Sequence, residues 1–351
     1  MAQVRILSWN IQVYGPEKYG YSPNNVALIE FVGAVVNRVN ANVVVLMEIM
    51  TSVGDQLGFN LVEALAATTG GAWEHGGITA RERGDRETYA IFWRTDQEFR
   101  LARVAGRNAV GLAESEFPNN FSNTHGRRAA WATFSTNAVP AVNFTTTAYH
   151  APPNARAIVG LQQLASMPQL YGLGGPPPAA PAVTGRLLCG DFNLDVGVQP
   201  DYTWLTNPAP AYPPLAAGQG AGCTEATAAD THLFNFPTLE LIYGPPFAGW
   251  PRRTIEYRSA AAIDNIFYAP RGAPYAAGRV IDVPSLIVNG GAVRNAARRF
   301  RLRRPDGTPA FPYAERIGTP LGAALANVPQ AVVFYRYAVS DHLPVFLSLN
   351  F

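Results

Sequence analysis

Polar residues of the types that hold charge or move protons stand at five places where an apolar run stops. Asn10 ends V-R-I-L-S-W-N, and Glu48 directly follows Val43-Val44-Val45-Leu46-Met47. His150, in Y-H-A-P-P-N, ends the run that starts at Val142. Asp191 and Asn193 lie in G-D-F-N after Leu187–Cys189, and Asp341-His342 precede Leu343-Pro344-Val345-Phe346. A charge at the end of a buried run cannot stay in the sheet unpaired without a large desolvation cost. Strand ends are also where α/β folds gather their active sites. Acids, amides and imidazoles gathered there suit acid–base chemistry. Asp191 and Asn193 are two apart, so an extended backbone turns both to one side. Asp341 and His342 are adjacent and would face opposite ways in a regular strand. Both reach one site only from an irregular turn, which Pro344 favours.

The elements that must position these residues are legible as periodicity. Strands are expected over Val4–Asn10, Ala41–Met47, Thr88–Arg94, Ala130–Ser135 and Val142–His150. Further strands are expected over Arg186–Cys189, Ile263–Ala269, Ala331–Ala338 and Val345–Leu349. Helical spacing marks Asn24–Asn40, Leu57–Thr69 and Ala155–Gln169, and Ser22-Pro23-Asn24 offers a helix start. Strands and helices alternate early and strands dominate late, which predicts a layered α/β or α+β fold with a mixed sheet. The whole chain reads as one domain, with insertions at about 200–251 and 271–330.

Composition narrows the function classes. The chain has 351 residues, 48% hydrophobic and 15% charged, which excludes disorder of the whole chain. The net charge of +2 gives no bulk electrostatic footprint of a DNA binder. Lys18 is the only lysine. Six arginines (Arg294, Arg298, Arg299, Arg301, Arg303 and Arg304) fall within eleven residues. Such a stretch either tracks a phosphate backbone or forms a solvated face. Two cysteines are too few for a disulfide framework or a cysteine zinc site, and Cys189 reads as a small buried hydrophobe. No apolar run reaches the roughly 18 residues of a membrane span. No signal peptide is apparent at the N-terminus. The expectation is a cytoplasmic protein, or one exported by a route that needs no such peptide. His75, His125 and His232 match no motif and read as surface or structural.

With these residues in place, the sequence resembles the endonuclease/exonuclease/phosphatase superfamily, in its deoxyribonuclease I-like branch. The resemblance rests on L-S-W-N (Leu7), V-V-V-L-M-E (Val43), R-E-T-Y (Arg86) and Y-H-A-P-P-N (Tyr149). It continues through L-C-G-D-F-N (Leu188), A-I-D-N-I-F (Ala262) and S-D-H-L-P-V (Ser340), in the family's order. It implies a four-layer sandwich, two mixed β-sheets face to face with helices outside, and metal-dependent phosphoester hydrolysis. The implied metal is Mg²⁺, with Mn²⁺ or Ca²⁺ as alternatives, held by Glu48 first and Asp341 next. Asn10 and Asp191 would hold the same ion through water, or a second one. Two His–carboxylate pairs follow: His342 with Asp264 as base, and His150 with Glu87 as acid, Asp191 being a rival base. Asn193 and Asn10 would contact the phosphoryl oxygens, and Arg127 aligns with a phosphate-binding arginine of the family.

The sequence also departs from the family. An arginine and an aromatic residue that enter the minor groove in duplex-cutting relatives are replaced by Met50 and Asp85. The glutamine before the motif glutamate is Met47. After G-D-F-N the chain continues Leu194-Asp195, which argues mildly against an inositol phosphatase. The expected substrate, from the motif set and the arginine cluster, is DNA; either Arg298, Arg299, Arg301, Arg303 and Arg304 replace the lost groove contacts or the substrate differs. The alternative is a non-nucleic phosphoester such as a phospholipid, sphingomyelin or an inositol phosphate.

Overall fold

The computed structural model describes residues 2–15, 18, 21–50, 54–76, 87–104, 107–108, 110–112, 129–151, 185–194, 224–225, 231–233, 263–268, 275–311, 314–317 and 328–350. In chain order the elements begin with β1 (Gln3–Tyr14), α1 (Ser22–Val39), β2 (Val43–Met50), α2 (Gly54–Thr69), β3 (Trp73–Gly76) and β4 (Glu87–Arg94). There follow β5 (Phe99–Leu101), β6 (Arg103–Val104), β7 (Arg107–Asn108), β8 (Val110–Leu112), β9 (Ala130–Thr136), β10 (Asn143–His150) and β11 (Gly185–Asp191). The last are β12 (Thr224–Glu225), β13 (Asp264–Tyr268), β14 (Tyr275–Val280), α3 (Val283–Asn289), α4 (Gly291–Ala297), α5 (Val328–Ala338) and β15 (Val345–Asn350).

Among the described residues β6 and β7 form a small separate antiparallel pair, and the other strands form two mixed sheets. One runs β14-β15-β1-β2-β4-β3; the other runs β12-β13-β11-β10-β9-β5, with β8 also on β9. The parallel pairs, β1 with β2 and β10 with β11, sit at the centre of each. Strand alternation explains the layers. Val4 and Ile6 of β1, and Val43, Val45 and Met47 of β2, turn one way. They meet Phe144 and Ala148 of β10, Leu187 and Cys189 of β11, and Ile266 and Tyr268 of β13. These side chains form the dry layer between the two sheets. Leu7, Trp9, Val44 and Leu46 turn the other way and are covered by apolar faces of α1, α3, α4 and α5. Two face-to-face sheets with helices outside are therefore confirmed. The helix expected over Ala155–Gln169 and most of the insertion expected at 200–251 lie outside the described residues.

The first helix begins with Pro23 in its first turn and stops at Asn40, whose φ of 56° is left-handed. Leu28, Phe31, Val32, Val35 and Val36 give it a buried stripe.

One expectation is corrected. Ala331–Ala338, read as a strand, is the helix α5. Ala331, Val332, Val333, Phe334, Tyr335 and Ala338 are all buried, so too little polar face remains for a helical period to show. Phe334 meets Phe31 at 6.4 Å and Phe300 at 5.2 Å, both edge-on. Packing overrides the strand preference of the β-branched and aromatic residues here.

Candidate active site

The expected site residues collect at one edge of the sandwich, and strand parity accounts for most of them. Asn10 continues the inward-facing series Val4, Ile6, Ser8 on β1. His150 continues Phe144, Thr146, Ala148 on β10, and Asp191 continues Leu187, Cys189 on β11. Across the second sheet His150 pairs with Asp191, and Asp191 pairs with Asp264, so the three lie in one row. Asn10 spans the gap between the sheets: its Nδ2 donates to Glu48 Oε1 and to Asp191 Oδ2, each at 2.9 Å.

Glu48 breaks parity. Strict alternation would send it outward with Val44 and Leu46. Instead β2 carries a bulge, with Leu46 opposite Ala90 and Ile49 opposite Thr88. Glu48 itself has a φ of 58°, which a residue with a β-carbon adopts at a cost of roughly 1–2 kcal/mol. The bulge turns the carboxylate to the site. There its Oε2 accepts the Val13 N–H at 2.8 Å. Gln12 and Val13 are themselves left-handed, with φ of 52° and 51°. Three strained residues thus aim one carboxylate and one backbone donor.

Asp191 is the hub. Its Oδ1 accepts the Asn193 N–H at 2.9 Å. Its Oδ2 lies 3.4 Å from His150 Nε2 and 3.7 Å from His342 Nε2. His150 Nε2 is also 3.7 Å from Glu48 Oε1. On the far side, His342 Nδ1 is 2.8 Å from Asp264 Oδ2, which also accepts from Thr231 Oγ1 at 2.7 Å. Burial opposes the charged imidazolium of His342. Asp264, Asp191 and Asp341 outweigh it and hold the histidine's proton well above the usual range.

Asp341 and His342 lie on the irregular turn before β15, as expected. Ser340 fixes that turn: its Oγ donates to Asn10 O at 2.7 Å and accepts the His342 N–H at 3.0 Å. Tyr335 Oη donates to His342 O at 2.5 Å. Asp341 is set apart from Glu48, with its Oδ2 3.3 Å from Arg336 Nη2 and 3.6 Å from His232 Nε2. Burial disfavours its charge, but His342, His232 and Arg336 overcome this and keep the carboxyl well below its usual range.

Solved structures share this architecture from end to end. An endonuclease/exonuclease/phosphatase family protein from Bacteroides thetaiotaomicron is 14% identical, with 99% of this chain and 97% of that chain covered and a TM-score of 0.51. ANGEL2, a 2',3'-cyclic phosphatase, is 14% identical over 99% of this chain and 95% of its own, with a TM-score of 0.53. The fold is that of the endonuclease/exonuclease/phosphatase superfamily. Humanized D. rerio TDP2 with 14 mutations has the same superfamily fold, at 11% identity, full coverage of both chains and a TM-score of 0.52. No family model matches the sequence, and no curated protein does.

Within this superfamily fold, the structure brings together Asn10, Glu48, His150, Asp191, Asn193, Asp264, Asp341 and His342. Asn193 is left-handed, with a φ of 51°, and its Nδ2 donates to Ala151 O at 2.7 Å. The side chain of Glu87 and all of Arg127 lie outside the described residues. The sequence reading missed Thr231 and Lys18. The Lys18 ammonium donates to Ile11 O at 3.0 Å, Gln12 O at 2.9 Å and Val339 O at 2.5 Å, tying the end of β1 to the Asp341 turn. Its being the only lysine was the available signal. His232, read as surface or structural, packs edge-on against His342 at 5.1 Å. It is 110 positions away in sequence and matches no pattern.

Arg301 is held by Asn24, whose Oδ1 accepts its N–H at 2.7 Å and whose Nδ2 donates to its carbonyl at 2.9 Å. Arg298, Arg299, Arg301 and Arg303 are exposed, and Arg299 pairs with Glu30. Phe300 is buried against Phe31 and Phe334, as the anchor of this segment.

Proposed function

We propose that the protein is a divalent-metal-dependent phosphoesterase, and within that class a nuclease that hydrolyses DNA. The observation that carries this reading is the hub at Asp191. It places two imidazoles, one amide and the Glu48 carboxylate around one point, with His342 oriented by Asp264. Carboxylate oxygens of Glu48 and Asp191 flanking the Asn10 amide suit a hard cation such as Mg²⁺. When bound there, such an ion supplies positive charge to the phosphoryl oxygens and to the attacking water.

The chain's own groups account for the proton transfers. Asp264 Oδ2 faces Nδ1 of His342 and keeps a proton there, so Nε2 is the nitrogen that takes a proton from water once the imidazolium has released its own. His150 Nε2, across Asp191, gives a proton to the leaving oxygen. Asn10 and Asn193 offer amide hydrogens to the phosphoryl group, and Glu87 and Arg127 keep the roles that the resemblance implies. The exposed arginines beside the start of α1 track phosphates away from the scissile bond.

A second reading, a non-nucleic phosphoester, is favoured by Met50 and Asp85, where groove-reading residues are missing. A substrate panel decides between them. Plasmid, single-stranded DNA, sphingomyelin and an inositol phosphate are each incubated with Mg²⁺ and then with chelator. DNA cleavage that chelator stops is expected. Lipid or inositol phosphate turnover with intact DNA would replace the nuclease reading.

A further inference from the structure

We propose that His232, Asp341 and His342 form a second metal site that takes zinc rather than magnesium, and that zinc there silences the enzyme. The donor atoms of the three residues lie within 4.8 Å of one another. Asp341 Oδ2 is 3.6 Å from His232 Nε2, and Asp341 Oδ1 is 3.6 Å from His342 Nε2. Four donors about 2.0 Å from a tetrahedral zinc stand about 3.3 Å from one another, so small side-chain shifts complete the site. Two imidazoles and one carboxylate are a common donor set for zinc, with water in the fourth position. The oxygen-rich Glu48 and Asp191 pair favours a harder ion.

Three further observations support the site. Among the described residues Asp341 Oδ1 is buried with no hydrogen-bond partner, a costly state that a cation would relieve. His342 Nδ1 faces Asp264 Oδ2 at 2.8 Å, so Nε2 is the ring nitrogen turned toward Asp341. A carboxylate behind a histidine in this way is the usual outer shell of a zinc ligand. The backbone is held on both sides: His232 bridges His342, Leu233 N–H donates to Asp341 O at 2.8 Å, and Leu343 N–H to Thr231 O at 2.9 Å. The His232 side chain is 31% exposed, so an ion can approach from solvent. Asp341, Asp191 and Asp264 surround the position with negative charge, against Arg336 as the opposing cation.

The silencing half rests on the reading of His342 as the base, because zinc would occupy its Nε2. The two halves are tested separately. Zinc is titrated calorimetrically into the protein at saturating Mg²⁺, and Co²⁺ is followed by its visible absorption. One zinc per chain is expected, and His232→Ala and His232→Gln should each weaken it by about tenfold or more. Unchanged affinity in both variants, or no zinc binding in the presence of Mg²⁺, overturns the site. In DNA cleavage assays zinc should inhibit over the range in which it binds, and the variants should need correspondingly more. Binding without inhibition overturns the silencing role. Zinc binding as expected, with no DNA cleavage under any metal, leaves the site standing and removes the nuclease reading instead.

Discussion

At the residue scale the site is a set of charges that burial alone would not permit. Asp191 and Asp264 are both 2% exposed. An isolated carboxylate there would cost several kcal/mol, and each is offset by donors that also define its role. Asp191 holds Asn10 and Asn193; Asp264 holds Thr231 and His342. His150 and His342 each bring Nε2 toward Asp191 Oδ2, at 3.4 Å and 3.7 Å, and the proposed mechanism gives each a distinct proton to move. His150→Ala and His342→Ala should each lower turnover by about 10²-fold or more while circular dichroism stays native. Full activity in His150→Ala would leave that residue a structural role. Most of this set was legible, because motif residues continue apolar runs and therefore inherit their direction. The partners of Asp341 were not legible: His232 and Arg336 approach from other elements, and nothing local in the sequence marks them.

At the scale of the element, two features position the chemistry. The first is the left-handed stretch at the end of β1. Val13 is β-branched at a φ of 51°, an unfavourable backbone state whose N–H serves Glu48. Val13→Gly keeps that donor and removes the clash of the β-carbon. It should raise stability by about 1 kcal/mol, read as a higher denaturation midpoint, with activity retained. A lower midpoint would mean that the strain is absent. The second feature is the arginine segment, fixed to the helical layer by Asn24 and Phe300. Replacing Arg298, Arg301 and Arg303 together should weaken DNA binding and flatten its salt dependence, by a log–log slope of roughly 0.9 per lost phosphate contact. An unchanged slope would assign these side chains to solvation. The periodicity of α1 was readable because its faces differ in polarity, and β1 and β2 were readable as apolar runs that stop at a polar residue. The bulge at Glu48 was not readable, since the run Val43–Met47 has no polar residue to show a change of phase. The helix α5 escaped for the same reason.

Across the whole molecule, a net charge of +2 conceals a strong separation. Acids crowd one edge of the sandwich, and arginines gather in one segment on the helical layer. Stability should therefore depend on pH through the site. The proton of His342 is held more tightly in the folded protein than in the unfolded chain. Its stabilisation is complete below the unfolded value of about 6.5 and is lost as pH rises through the higher folded value. Metal-free protein should consequently melt at lower temperature as pH rises from about 6.5 into the alkaline range, and His342→Gln should flatten that trend. A melting temperature of the wild type that does not fall over this range would show that the surrounding carboxylates do not hold the proton.

The central claim is that the inward-facing cluster at this edge hydrolyses DNA with a metal held by Glu48. It is tested most directly by plasmid nicking with wild type and Glu48→Gln side by side in Mg²⁺, with chelator added midway. Nicking by the wild type that stops at chelator addition, and none by a folded Glu48→Gln protein, is the expected result. Equal nicking by both, or nicking that continues in chelator, would contradict the account.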